Sequence, residues 1–416
     1  MSDASPAIQE QRVGLRARSA GRPSTWLDAC ARLHVDRRQR FGSYLVLGCV
    51  GFVAAVAVAV AASSLLGAPA KLVLLLTPVA ALTFLAAVKV TSLVFGAERI
   101  VFYEQALLVL ATGALALRLA HLHVAAGLDL LVLGLGVFLA FGRVGCFMVG
   151  CCHGRPGRWG VRYGRAHAEA GFHASWVDKP LFPLQLVEAT TSLGLAAGAL
   201  AWAALRAPAP GELAFAYLSG YGVARFGLEL FRGDAARPSW LGLSQAQLTA
   251  LLVAWGLVAL RSPDAGVAAW SAATALSLAT AGLVAHRRFR PLAPLWLRSP
   301  WHLAELEGHL AEWDRRPAPG PRVATTRLGL RVSRQLLGDD ASSAEGLVWD
   351  LLFSSSAPAL RTRTVRDLVD DLGLLRDAAG DVDVVVRPGA TPGLVHVLFP
   401  AVAASGSTRA AHSRAL

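Results

Sequence analysis

The segment Phe141-Gly-Arg-Val-Gly-Cys-Phe-Met-Val-Gly-Cys-Cys-His-Gly-Arg-Pro156 gathers chemically capable side chains at the end of an apolar run. An arginine at the depth of Arg143 is costly in lipid unless an anion meets it, or unless it snorkels to the interface. Its forked donors match phosphate oxygens, and Arg155, Arg158, Arg162 and Arg165 follow to concentrate positive charge. Gly142, Cys146 and Gly150 recur every four residues, which places small side chains on one helical face where a second backbone or a lipid headgroup can come close. A second constellation is Ser219-Gly-Tyr-Gly-Val-Ala-Arg-Phe-Gly-Leu-Glu-Leu-Phe-Arg-Gly-Asp234. Its spacing puts Tyr221, Arg225, Glu229 and Arg232 on one helical stripe, as an anion site or as a self-neutralising ion pair in lipid. Between the two, Pro183-Leu-Gln-Leu-Val-Glu188 opens an apolar run with Gln185 and Glu188 facing the same way, a pattern that ordinary helix capping also produces.

These groups need helices to hold them, and composition says where the helices lie. Of 416 residues, 54% are hydrophobic and 16% charged, and the mean hydropathy is +0.48, outside the range of soluble domains. Runs free of Asp, Glu, Lys and Arg extend over Gly42–Ala70, Leu72–Val88, Ala189–Leu205, Leu241–Leu260 and Ala265–His286. Three further apolar runs carry a few polar groups: Gln105–Leu117, Leu119–Gly142 with Asp129 inside, and Leu213–Phe231 with Arg225 and Glu229 inside. Together they predict about eight spans of a hydrocarbon core roughly 30 Å thick. Backbone groups without partners are too costly in lipid, so the fold class expected is an all-α polytopic membrane helix bundle.

From Pro291 onward Pro, Asp, Arg and Ser become frequent, which predicts a small α+β soluble C-terminal domain over 291–400. Val365, Leu368, Val369, Leu372 and Leu375 give Thr364–Leu375 an amphipathic helical pattern, and Val382–Val386 and Leu394–Phe399 read as strands around a Pro-Gly turn. Residues 1–41 form a basic N-terminal segment, disordered to about Ser24, residues 42–290 the transmembrane domain, and 401–416 a disordered tail. The net charge is +12, with Arg12, Arg16, Arg18, Arg22, Arg32, Arg37, Arg38 and Arg40 before the first span and Arg287, Arg288 and Arg290 after the last. Such flanks bind anionic membrane lipid and tend to stay cytoplasmic. No aromatic platform accompanies them, so no nucleic-acid partner is expected. The first apolar run begins past residue 40 and is too long for a signal h-region.

Cys30 and Cys49 read as small buried apolar residues. Cys146, Cys151, Cys152 and His153 could bind zinc or another soft metal, although adjacent cysteines rarely both reach one tetrahedral ion. A disulfide from Cys146 to one of the pair is the other possibility in an oxidising compartment. No metal and no cofactor is assigned on this pattern.

In order, Gly-Arg-Val-Gly-Cys-Phe leading to Gly-Arg-Pro, Pro-Leu-Gln-Leu-Val-Glu, and Tyr-Gly-Val-Ala-Arg-Phe-Gly-Leu-Glu-Leu-Phe-Arg resemble the prolipoprotein diacylglyceryl transferase family over about residues 42 to 261. The resemblance implies seven family-type spans plus one extra, Ala265–His286, in a multi-pass protein of the bacterial inner (plasma) membrane. It implies transfer of a diacylglyceryl group from phosphatidylglycerol to the thiol of the lipobox cysteine of a prolipoprotein, with glycerol phosphate released. It further implies that Arg143, in its Gly-Arg-x-Gly frame with Gly145, and Arg225, with Glu229 one turn on, hold the lipid phosphate. Cys146, Gly154, Arg155, Gln185, Glu188, Tyr221 and Arg232 complete the substrate-binding set.

The chain departs from the family pattern at several of these places. Cys146 stands where the family has asparagine, Gly150-Cys151-Cys152-His153 replaces an acidic Gly-Glu segment, Tyr103-Glu104-Gln105 stands for His-Gly-Gly, and Lys89 for an arginine. His153, Tyr103 and Glu104 are therefore the candidates for acid-base work, His153 foremost because its ordinary pKa lies nearest neutrality. The alternative is a catalytically altered relative that binds anionic lipid or senses redox state or metal through its cysteines. The resemblance puts the amino terminus and the Cys151–Leu181 loop outside the cell, whereas the arginine-rich start favours the cytoplasmic side.

Overall fold

The computed structural model describes residues 26–32, 42–95, 102–164, 166–167, 172, 176–233, 239–240, 243–260, 267–289, 294–315, 321–337, 348–355, 360–372, 376–377, 380–381, 384–389, 391 and 393–400. The expected tails, to Ser24 and from Ala401, lie outside the described residues. The chain divides into two compact units, one of residues 25–172 with 177–285, the other drawn chiefly from 286–416.

The first unit is helical. After the short α1 (Trp26–Arg32) come α2 (Ser43–Leu65), α3 (Lys71–Phe95), α4 (Phe102–Leu119), α5 (Val124–Val149), α6 (Leu184–Arg206), α7 (Glu212–Leu228), α8 (Gln245–Leu260) and α9 (Val267–Phe289). Among the described residues, eight long helices stand where the eight apolar runs lie. Four of them, α2, α3, α5 and α6, are long and apolar enough to cross a membrane. α4, α7 and α8 have 18, 17 and 16 residues. At roughly 1.5 Å per residue they rise about 24 to 27 Å, short of a full hydrocarbon core unless the bilayer thins locally.

α5 is the axis of this unit and packs against α2, α3, α4, α6 and α7. Glycines make that possible, because a β-carbon on Gly136 would run into the Tyr217 ring and one on Gly145 would lie 2.8 Å from Tyr44 Cδ2. Small residues in a membrane helix let neighbours approach to van der Waals contact, which drives packing where apolar burial is already supplied by lipid. Close approach comes at Gly145 and Gly136 and not at Gly142, whose β-carbon would meet nothing within 4 Å. Leu74, Leu82, Leu85 and Leu93 of α3 are exposed, as a lipid-facing surface requires.

Asp129 of α5 is buried and accepts backbone hydrogen bonds from Gly211 N (2.6 Å) and Ala214 N (2.8 Å). It caps the start of α7 from a different helix, satisfying amides that a helix N-terminus leaves without partners. α5 ends on Gly150 at φ 88°, whose N–H donates to Cys146 O, a left-handed cap that glycine adopts without strain. The following loop carries β1 (Pro156–Val161), which bridges to Leu181 at both ends. Gly160 is required there, since its φ is 151° and any β-carbon would collide with the Leu181 backbone.

The second unit holds α10 (Pro294–Leu297), α11 (Pro300–Arg315), α12 (Thr362–Asp371) and a five-stranded antiparallel sheet. Its strands are β4 (Arg322–Thr325), β5 (Arg331–Leu337), β6 (Val348–Ser354), β9 (Val385–Pro388) and β10 (Leu394–Pro400), in the order β4-β5-β6-β10-β9. The short pair β7 with β8 (Arg376–Asp377, Gly380–Asp381) also belongs here, whereas the pair β2 with β3 (Ser239–Trp240, Leu243–Ser244) lies in the first unit, before α8. Val332, Leu351, Phe353, Val395 and Val397 are buried on the five-stranded sheet, as are Val365, Leu368 and Val369 of α12. α12 stops at Asp371, four residues before the periodicity runs out, and β9 begins at Val385 where a strand from Val382 was expected. Asp371 instead receives a two-point hydrogen bond from Arg298 (2.5 and 3.0 Å), while buried His302 donates from Nδ1 to Leu297 O (2.7 Å) and accepts at Nε2 from Thr326 Oγ1 (3.1 Å). Burial pushes the His302 imidazole below its ordinary pKa.

Candidate active site

α5 and α7 run in one direction and α6 in the other, so the C-terminal ends of α5 and α7 meet the N-terminal end of α6. Glu188, one turn into α6, is the hub, and the helix N-terminus there favours its negative charge. Its Oε2 lies 2.9 Å from Arg143 Nε, and its Oε1 lies 3.4 Å from Arg225 Nε while accepting 2.7 Å from the Tyr221 hydroxyl. Arg225 Nη1 also meets Glu229 Oε2 at 2.5 Å, and Arg232 Nη1 approaches the same oxygen at 3.7 Å. Glu188 and Arg225 are each 2% exposed and Arg143 8%.

Burial of this order demands pairing. Among the described residues, three guanidinium groups share two carboxylates. Arg143 has Glu188 as its ion-pair partner among the described residues, through Nε alone. Its two Nη groups, the outer edge of the fork, are the part that can receive a phosphate. Arg225 is different: carboxylates hold it on both sides, so it positions the cluster more than it offers an open edge.

Arg232 lies beyond α7, past the 3-10 turn Glu229–Phe231, in extended backbone, so the expected four-member helical stripe ends at Glu229. That turn pins the Cys151–Arg155 loop. Arg155 N donates to Phe231 O (2.9 Å), Gly233 N to His153 O (3.0 Å), and Gly154 pairs with Arg232. Gly154 N donates to Phe182 O (2.8 Å), Phe182 N to Arg155 O (3.1 Å), and Arg155 Nε to Arg232 O (3.3 Å). A β-carbon on Gly154 would sit 2.8 Å from Phe182 Cβ, so glycine is what lets this loop lie against the start of α6. Gln185 Nε2 donates to Cys151 O at 2.7 Å, tying α6 to the same loop. The structure therefore brings together Arg143, Glu188, Arg225, Glu229, Arg232 and Tyr221, and builds Gly154, Arg155 and Gln185 into the adjoining wall. The Arg158 side chain and Arg165 lie outside the described residues.

The acid-base candidates separate. His153 is buried; its Nδ1 donates to Gly154 O (2.9 Å), leaving Nε2 as the basic atom of the neutral ring, and the ring stands edge-on to Phe172. Tyr103 packs 6.0 Å from the Tyr221 ring, and its buried hydroxyl has no partner among the described residues. Glu104 points elsewhere: it is exposed and accepts from Gln245 Nε2 at 2.9 Å. Its neighbour Gln105 is buried with both amide atoms lacking partners among the described residues, a group the sequence pattern did not single out. Tyr163, in the loop after α5, donates its hydroxyl to Phe147 O (2.8 Å), and burial pushes that phenol upward. Cys146, Cys151 and Cys152 gather at the end of α5, with all three sulfurs within 4.8 Å of one another. Hydrogen bonds from Cys146 and Cys151 hold the Cys152 thiol below its ordinary pKa.

An apolar cavity adjoins the cluster between α4, α5, α7 and α8, lined among others by Leu110, Leu139, Tyr217 and Val253. Tyr103 and Tyr221 stand in its wall, so the polar site and the cavity share residues. Ser192 of α6 donates to Gly136 O (2.8 Å) and bonds the Tyr217 hydroxyl (2.5 Å), which fixes one side of the cavity.

Comparison with known proteins follows the same residues. A phosphatidylglycerol–prolipoprotein diacylglyceryl transferase of Clostridium tetani (strain Massachusetts / E88) is 34% identical over 107 residues, 26% of this chain and 41% of that protein. Phosphatidylglycerol–prolipoprotein diacylglyceryl transferase 2 of Streptomyces coelicolor (strain ATCC BAA-471 / A3(2) / M145) is 37% identical over 134 residues, 32% of this chain and 41% of that protein. The chain thus spans about two fifths of the length of these curated relatives. No solved structure matches it significantly. The prolipoprotein diacylglyceryl transferase profile matches residues 43–261, just over half of the chain and all of the helices that build the site, and the chain belongs to that family.

Proposed function

We propose that this chain is a multi-pass enzyme of the bacterial plasma membrane, with about eight spans. In this reading it moves a diacylglyceryl group from phosphatidylglycerol to the cysteine thiol in the lipobox of a prolipoprotein. The observation that carries the proposal is the convergence of Arg143 and Arg225, from two helices, on the single carboxylate of Glu188, which meets Arg143 through Nε alone. A phosphodiester carries one negative charge and pairs with a guanidinium. The open Nη edge of Arg143 receives it, and the adjoining apolar cavity takes part of an acyl chain.

In the transfer, the acceptor sulfur forms a bond to the terminal carbon of the diacylglyceryl group as that carbon's bond to the phosphate oxygen breaks, and glycerol phosphate leaves with the electron pair. Guanidinium groups fixed beside the leaving phosphate stabilise the charge it gains, and fixed donors need no reorganisation as the charge appears. The thiol must first lose its proton, because the thiolate is the nucleophile. His153 Nε2 is assigned that proton, with the Tyr103 hydroxyl as a donor within the same cluster and no role for Glu104.

Membranes carrying the protein should transfer labelled diacylglycerol from phosphatidylglycerol to a lipobox peptide, and Arg143→Ala should reduce the rate by about 100- to 1,000-fold, the cost of one preorganised donor to a developing anion. Absence of transfer by the intact chain, with label followed in both lipid and peptide, would reject the assignment.

A further inference from the structure

The lipid chemistry leaves the three cysteines at the end of α5 without a task. Cys146, Cys151 and Cys152 are three of the five cysteines in the chain, fall within seven consecutive residues, and place all three sulfurs within 4.8 Å of one another. We propose that they form a thiolate site for one thiophilic d10 cation, zinc(II) or copper(I).

Metal–sulfur bonds of about 2.3 Å put the sulfurs of a trigonal or tetrahedral site roughly 3.8 to 4.0 Å apart, so closure asks each sulfur to move by well under an ångström. Neighbouring cysteines ordinarily point to opposite sides of the chain and do not share an ion. Here the backbone removes that obstacle: Cys152 is left-handed, with φ 58°, two residues after the left-handed Gly150 cap at φ 88°. With a reversal on either side of Cys151, the Cys151 and Cys152 sulfurs both lie beside that of Cys146 in the last turn of α5. His153 is not part of the set: the ligand atoms that gather within 4.8 Å of one another are those of Cys146, Cys151 and Cys152.

Electrostatics favours the loaded form. Three thiolates with a divalent ion keep one negative charge, and with a monovalent ion two. Arg143 lies three residues before Cys146 on the same helix, and Gly154 pairs with Arg232, so positive charge flanks the trio on two sides. Cys151 is exposed, which gives an ion a way in, and Cys146 is buried, which gives it a dry floor. Soft sulfur donors without oxygen ligands select copper(I) or zinc over magnesium, calcium or manganese.

The test uses the full-length protein in detergent, purified under reductant without chelator. Its metal content is measured directly, and the chelator-treated protein is then titrated with zinc(II), with cobalt(II) as spectroscopic stand-in, and with copper(I) against a copper(I) chelator. One ion per chain is expected. Thiolate-to-cobalt bands of a tetrahedral ion would assign zinc, with a fourth ligand from solvent, and stoichiometric copper(I) with no zinc would assign the three-coordinate site. Cys151→Ser, at the exposed position and so least harmful to folding, and Cys152→Ser should each weaken binding by at least about 100-fold, beyond what loss of an outer-shell partner costs. Cys30→Ser and Cys49→Ser should leave it unchanged. Binding that survives in Cys151→Ser/Cys152→Ser, absence of stoichiometric binding by either ion, or a disulfide within the trio under reductant would each overturn the proposal.

Discussion

Replacing Glu188 with glutamine keeps the size of the side chain and removes its charge, which isolates the element on which the two arginines depend. Glu188 offers one oxygen to Arg143 at 2.9 Å and the other to Arg225 at 3.4 Å and Tyr221 at 2.7 Å. Without that charge Arg143 keeps no carboxylate among the described residues, while Arg225 keeps Glu229. Breaking a buried pair by removing one partner costs about 3 to 5 kcal/mol, and Arg143 meets that condition fully. The second contact is longer and its arginine stays paired, so it adds little. We therefore expect Glu188→Gln to lose about 4 kcal/mol, close to a thousandfold in the folding constant. Glu229→Gln should cost less, about 1 to 3 kcal/mol, since Arg225 still meets Glu188. Denaturant unfolding in mixed micelles measures both. A double-mutant cycle of Glu188→Gln with Arg143→Met should give a coupling energy of about 2 to 3 kcal/mol. If Glu188→Gln stays within about 1 kcal/mol of the parent, or the coupling falls below about 0.5 kcal/mol, the guanidinium groups are not held as described and the phosphate site loses its foundation.

Other perturbations probe separate parts. Leu110→Trp fills the apolar cavity and should raise the KM for long-chain phosphatidylglycerol several-fold with little effect on a short-chain analogue; equal effects on both would show that no acyl chain enters there. Gly154→Ala forces a β-carbon to 2.8 Å from Phe182 Cβ, so the Arg155 loop must shift, at a cost of about 1 to 3 kcal/mol and a lower transfer rate at unchanged expression. His302 is held neutral by burial, with a folded-state pKa below the ordinary 6.5. The unfolded chain therefore binds the extra proton first, so the second unit should be most stable above about pH 6.5 and lose stability as pH falls below it. Amide exchange in β5 and β6 of the intact chain at pH 7.5 and 5.5 measures this, and equal protection at both would contradict it.

Much of the site was legible because helical spacing is local. Arg225 on α7 and Glu229 just past its end are spaced as one helical turn, and that ion pair was readable from position alone, whereas Tyr221 bonds Glu188 on another helix. Glu188 as the hub was not, since an i, i+3 pattern at a helix start also suits capping. Only the antiparallel return of α6 brings it between two arginines that lie 45 residues before it and 37 after. Arg232 fails the helical expectation because α7 tightens to a 3-10 turn at Glu229, yet it reaches the same carboxylate. Asp129 read as a polar interruption, and its partners, 82 and 85 residues away, have no local signature. The sheet of the second unit was half visible, because β10 pairs with β6 across 40 to 52 residues, a distance no periodicity reports.

Asp129 has one further consequence, which concerns alignment along the helix axes. It sits near the beginning of α5 and grips the first turn of α7, whereas Arg143 and Arg225 sit near the far ends of those same two rods. Rods clasped at one end and rigid along their length hold a fixed offset at the other, about 21 Å away by helical rise on α5. Loss of the clasp would let α7 slide, and a slip of one turn, about 5.4 Å, exceeds the reach of any guanidinium toward a shared oxygen. The carboxylate at one end of the bundle is thus a gauge block for the arginine cluster at the other.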